Sequence, residues 1–316
     1  MTNNLKSFKF TNKADTAISV TGWEALEGVV INALAGNDII KGTSSTDSGI
    51  FNNGTINTGD GNDIITGTGT RDDDFYGIIN NGTINTGDDN DTITGTGDFY
   101  GILNYDTINT GDGNDTITGT GDFYGIFNNG TINTGAGKDT IIGTGTRDGD
   151  FYGIFNYDTI NTGDDNDIIK GTGTGSGSGI INYGTINTGD DNDIITGKCR
   201  SGDFYGIFNN GTINTGAGKD IVDALEGGFD GNGTTYLDAG NDTLKGFGTG
   251  NFYGGAGTDK LFFGEGTYVI SGSTVVFNGA TMNVNQFEKI GGANGGLFTF
   301  QDGTLTVSST GVGTFA

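Results

Sequence analysis

A chain of 316 residues with 64 Gly, no Pro and only 32% apolar residues has little material for a thick globular core. Its formal net charge of −25 repels nucleic-acid phosphates and anionic membrane surfaces and favours cations. No His is present and the only cysteine is Cys199, which excludes an internal disulfide, a histidine relay and the usual zinc sites.

Residues 1–29 contain neither an apolar signal-peptide core nor a small-residue cleavage site, and no stretch of the chain approaches the ~20 apolar residues of a membrane span. Within TGWEALEG, Thr21 and Glu24 have capping-box spacing, which predicts a short helix and an N-terminal cap over 1–29.

From residue 30 the chain repeats. The unit TINTGDGNDII begins at Thr55, and close copies begin at Thr83, Thr107, Thr131, Thr159, Thr185 and Thr212, at intervals of 28, 24, 24, 28, 26 and 27 residues. Degenerate copies begin at Val30, end at Leu244 and run from Gly254 to Phe262, which gives about ten rungs over 30–263. Each full unit has three strand-like pieces, such as Gly125 to Asn128, Thr131 to Asn133 and Asp139 to Ile141, separated by Gly, Asn and Asp. Pieces this short form no stable sheet alone. Stacked coil on coil, each pairs with its own copy, so the fold class is all-β, a parallel β-solenoid with rungs ~4.8 Å apart.

The predicted core has two clear columns, Ile56 to Ile213 in the TIN piece and Ile65 to Val222 in the DTI piece. A third is either Ile78, Ile102, Ile126, Ile154, Ile180 and Ile207 or their next neighbours, because a one-residue slip exchanges the faces. Length varies only in inserts such as Thr70 to Gly77 and Thr146 to Gly153. All three arginines (Arg71, Arg147, Arg200) lie in the inserts beside acids and Phe-Tyr pairs, where local ion pairing is expected. Cys199 reads as a surface cysteine of one insert. After Phe263 the repeat stops, and 264–316 reads as a β-rich C-terminal cap.

The informative motif is the G-x-G-x-D turn, which holds a carboxylate at a constant offset from glycines that aim carbonyls at a common point. Its acids are Asp38, Asp63, Asp91, Asp115, Asp139, Asp167, Asp193, Asp220, Asp242 and Asp259, one per rung. Two carboxylates ~5 Å apart repel by roughly 3 kcal/mol at an effective dielectric of about 20, and the penalty recurs at every rung. Oxygen-only ligands in a pliable turn suit calcium better than magnesium, so these ten acids are the candidate metal ligands and calcium the expected cofactor. In the TGAGKD turns, Lys138 and Lys219 stand next to Asp139 and Asp220, where an ammonium would partly replace metal.

GGAGTDKLF at Gly254 to Phe262 resembles the nonapeptide GGxGxDxUx of the RTX, or haemolysin-type, calcium-binding repeat family. The other copies depart from it. Thr58, Thr86, Thr110, Thr134, Thr162, Thr188 and Thr215 take the first Gly position, and Asp89, Asp165 and Asp191 replace a later Gly, a residue type that tolerates the left-handed conformation. The coil carries one motif, not two, so fewer ions per rung are expected. The resemblance implies type I export without a cleaved signal, a secretion signal within 264–316, an extracellular or cell-surface location and folding on calcium.

Asn57, Asn85, Asn109, Asn133, Asn161, Asn187 and Asn214 predict an amide ladder on one corner, and Asn52 to Asn209 predict another. With Thr55 and its six equivalents the first set forms a T-x-N array that resembles the ice-binding faces of some calcium-dependent solenoid antifreeze modules. Near-identical rungs leave no singular catalytic constellation, so an enzyme is not expected, and a glycan lyase or epimerase is the remote alternative. The leading expectation is a calcium-binding structural or interaction protein of a surface layer, matrix or fibre, self-associating through outward Ile, Phe and Tyr, without nucleic-acid or membrane partners. An ice- or polysaccharide-binding module is the alternative.

Overall fold

The computed structural model describes residues 3–70, 75–147, 151–175, 177–199 and 204–316. It is an all-β parallel solenoid of about 11 turns, with no α-helix among the described residues. Each full coil crosses three sheets. The aromatic sheet holds strands such as Tyr124–Asn128, the TIN sheet strands such as Thr131–Asn133, and the long-strand sheet six-residue strands such as Thr140–Gly145. Consecutive coils pair like with like: Thr131 lies opposite Thr159, Ile132 opposite Ile160 and Asn133 opposite Asn161.

Period-two alternation sets the core. Ile132, Ile141 and Ile126, one from each sheet, are fully buried in one coil, and their equivalents are fully buried in the coils above and below. This resolves the slip left open by the sequence: the Ile78 to Ile207 column points inward, and its neighbours, such as Phe127, lie on the outer surface of the aromatic sheet. At the fourth residue of the long strands no side chain fits. A methyl added to Gly95 or Gly119 would stand 2.1 Å from the carbonyl oxygen of Gly101 or Gly125, so the long-strand and aromatic sheets meet there backbone to backbone. Glycine is required at those positions by space, and the coil becomes thin.

The N-terminal helix is not formed. Trp23–Ala25 is a strand paired in parallel with Ile50–Asn52, and Asn3–Asn4 pairs with it in turn. Trp23 and Ala25 are buried and Trp23 Nε1 donates to the Lys41 carbonyl (3.1 Å), so a pairing template overrides the weak local capping signal. At the other end the parallel stack reaches Lys289–Gly292, and antiparallel strands follow, among them Gly266–Ser271, Gly295–Thr299 and Gly303–Val307. Cys199 is the last residue of the strand Ile194–Cys199 and is buried, 4% exposed, which corrects its reading as a surface thiol. Strand alternation turns it inward.

Candidate metal column

The ten turn aspartates are brought into one column, and each is at most 1% exposed. Their spacing is maintained by a specific bond: the backbone N–H of each, from Asp38 to Asp242, donates to Oδ1 of the aspartate one coil on. Asp63 N reaches Asp91 Oδ1 at 2.7 Å, Asp115 reaches Asp139 at 2.8 Å and Asp193 reaches Asp220 at 2.9 Å. One oxygen of every carboxylate is thereby satisfied. The other, Oδ2, is buried without a hydrogen-bond partner in all ten. Buried polar atoms are almost always partnered, so ten orphans in one row single out the column as the candidate site.

The electrostatics agree. Burial pushes the Asp193 carboxyl up to about 8, Asp91, Asp139 and Asp242 to about 7, and Asp38, Asp115, Asp167 and Asp220 to about 6. Asp63 and Asp259 are raised as well. Desolvation is the largest cause throughout, and repulsion from neighbouring carboxylates adds to it. The amide of the adjacent aspartate opposes it, that of Asp115 for Asp139 among them.

The departures from the nonapeptide are accommodated. Thr58 occupies the first Gly position fully buried and donates its hydroxyl to the Thr86 carbonyl of the next coil at 3.0 Å. Asp89, Asp165 and Asp191 adopt the left-handed conformation, each with φ 83°. The lysines do not act as expected. Lys138 and Lys219 are exposed, neither forms an ion pair with its neighbouring aspartate among the described residues, and only their backbone amides bond, to Asn114 and Asn192. Both lysines lie in the turn that precedes the strand, with the lysine exposed to solvent and the following aspartate buried. Arg147 likewise makes no ion pair among the described residues, and its guanidinium lies 5.9 Å from the Phe123 ring centre. Arg71 and Arg200 lie outside the described residues.

Sequence reasoning missed both ends of the column. The Asp15 amide donates to Asp38 Oδ1 (2.7 Å), and the Asp259 amide donates to Glu288 Oε2 (2.8 Å). The signal was present: Asp15-Thr16-Ala17 and Glu288-Lys289-Ile290 are degenerate copies of the DTI piece, and Lys289 and Ile290 pair with Lys260 and Leu261.

Outside the column, two amide ladders run along the rod. Asn52, Asn80, Asn104, Asn128, Asn156 and Asn182 each donate to the next asparagine at 2.7–2.9 Å. On the TIN sheet, Asn109, Asn133, Asn161, Asn187 and Asn214 each donate back to the previous one at 2.7–3.3 Å. Beside this second ladder stands an unbroken threonine column from Thr55 to Thr234. The aromatic sheet carries a stripe of touching rings, in which Phe99 and Phe123 are tilted with centres 4.3 Å apart and Tyr157 and Tyr183, both partly exposed, stack at 5.3 Å.

Fold and column together define the class: a parallel β-solenoid with an internal carboxylate ladder. No protein-family model matches the chain, and no curated protein sequence matches it. Among solved structures it is similar to a hyperactive, Ca²⁺-dependent, β-helical antifreeze protein from an Antarctic bacterium, at 20% identity and a TM-score of 0.46, over 81% of this chain and 84% of that one.

Proposed function

We propose that this is a calcium-dependent, non-catalytic solenoid of the cell exterior that binds ice through its T-x-N face. The observation that carries the ligand is the register of that face: Thr55, Thr83, Thr107, Thr131, Thr159, Thr185, Thr212 and Thr234 pair in consecutive coils, so hydroxyls repeat every ~4.8 Å along an uninterrupted sheet. Asparagine amides bonded to one another hold the flank of that array rigid. A face that repeats in step with itself suits a ligand that is also a lattice.

Calcium enters through the orphaned Oδ2 row. The donor set is of the right kind, hard, oxygen-only and anionic, and is carried on glycine-rich turns. Asp38, Asp63, Asp91, Asp115, Asp139, Asp167, Asp193, Asp220, Asp242 and Asp259 would hold the ions, which would supply the positive charge the column lacks and couple metal binding to folding.

Thermal hysteresis, measured with saturating calcium and again after chelation, tests the reading. Activity with calcium, its loss on chelation and its reduction in Thr131→Tyr/Thr159→Tyr are the expected results. Calcium-loaded protein that melts and freezes water at one temperature would refute ice binding. A second reading, a fibre or surface-layer element associating side by side, is favoured by the ring stripe of the aromatic sheet, where Tyr105, Tyr157 and Tyr183 are 43–49% exposed. Concentration-dependent light scattering that disappears in Tyr157→Ser/Tyr183→Ser would support it.

A further inference from the structure

We propose that the long-strand sheet carries a second ice-contact face, separate from the T-x-N array, an inference that rests on ice as the ligand. Across the strands Ile64–Gly69, Thr92–Gly97, Thr116–Gly121 and Thr140–Gly145, the outward side chains are ten threonines and two isoleucines. In the two central strands the pattern is complete, with Thr92, Thr94 and Thr96 opposite Thr116, Thr118 and Thr120. This face is three ranks wide where the T-x-N face has two, because the strands are six residues long instead of three.

Three properties select the occupant. None of the ten hydroxyls hydrogen-bonds within the described protein, so all are available to an outside partner. The underlying sheet is backed directly by main chain, since Gly95 and Gly119 abut the carbonyls of Gly101 and Gly125 with no side chain between to yield. Charge decides between partners: in a chain carrying −25, this four-strand field has no ionisable side chain, so it complements an uncharged surface and offers nothing to a cation, an anion or a charged polymer. Hydroxyls and methyls on a grid of ~4.8 Å by ~6.6 Å fit a two-dimensional array of ordered water.

The ends of the field supply the test. The middle rank is Lys41 one coil before Thr66 and Lys170 one coil after Ile142, so lysine is accommodated at these positions of the same sheet. Thr94→Lys/Thr118→Lys, made in the full chain and assayed with saturating calcium, is expected to keep the circular dichroism and melting point of the parent and to lower thermal hysteresis by about threefold or more at equal concentration. Should that variant fold poorly, Thr120→Lys provides the same test, since Lys198 already occupies its rank next to Thr172. Unchanged hysteresis in a folded variant overturns this face alone, provided the T-x-N substitutions still reduce activity. A parent protein without hysteresis overturns both.

Discussion

At the scale of single residues, the column of aspartates is a liability that the fold accepts. Each raised carboxyl binds a proton more tightly when folded than when unfolded, so without metal the folded state gains least as pH rises. The metal-free protein is therefore most stable below the ordinary carboxylate value of 3.8 and loses stability progressively as pH climbs through about 6 at Asp115, about 7 at Asp139 and about 8 at Asp193. Melting curves in chelator from pH 4 to pH 9 are expected to show this fall, and calcium is expected to flatten it; a metal-free melting point that rises with pH contradicts the burial of the column. Asp139→Asn keeps an acceptor for the Asp115 amide and removes one buried charge. It should raise the metal-free melting point at pH 8 and diminish the gain on adding calcium, by an amount equivalent to about 1–3 kcal/mol.

At the scale of elements, the coil is held by isoleucines on one side and by the lack of side chains on the other. Ile132→Ala opens a hole in a fully buried column and is expected to cost about 2–5 kcal/mol by denaturant melts. Gly119→Ala should cost as much without removing any contact, because its new methyl meets the Gly125 carbonyl. An alanine variant at Gly119 that melts like the parent would show that the two sheets are not pressed together as described. Much at this scale was legible in the chain itself: an interval of 24–28 residues and a constant offset between Ile, Asn and Asp suffice to place three sheets and two amide ladders. What the sequence did not reveal depends on neighbours in space. Period-two alternation cannot decide between Ile126 and Phe127 until the opposing sheet is present, and it hides Cys199 inside a strand that local composition suggests is an insert. Thr21 and Glu24 carry a real helix-start signal that loses to the strand Trp23–Ala25 because a ready-made edge lies alongside. Asp15 and Glu288 were hidden for another reason, since the glycines that flag the turn elsewhere are absent around them.

At the scale of the whole molecule, stability is distributed along a line. Coils contact only their neighbours, so removing one whole repeat should cost one coil's share and leave the others intact. Deleting residues 107–130 joins Asp106 to Thr131 and preserves every register, since those coils are 24 residues apart. The shortened chain is expected to fold with calcium, to bind proportionately less of it and to melt a few degrees lower. Failure to fold at any calcium concentration would argue that the rungs are not interchangeable.

Glu288 gives the stack a finish as well as an end. Its carboxylate takes the last free amide of the column, and just beyond it Lys289–Gly292 is covered by the antiparallel strand Gly295–Thr299. A further coil stacked on the long-strand sheet would meet this antiparallel strand and not a parallel edge. The ladder of like-on-like coils is thus closed by a strand that runs against it, and a further parallel coil could join this sheet only by displacing Gly295–Thr299.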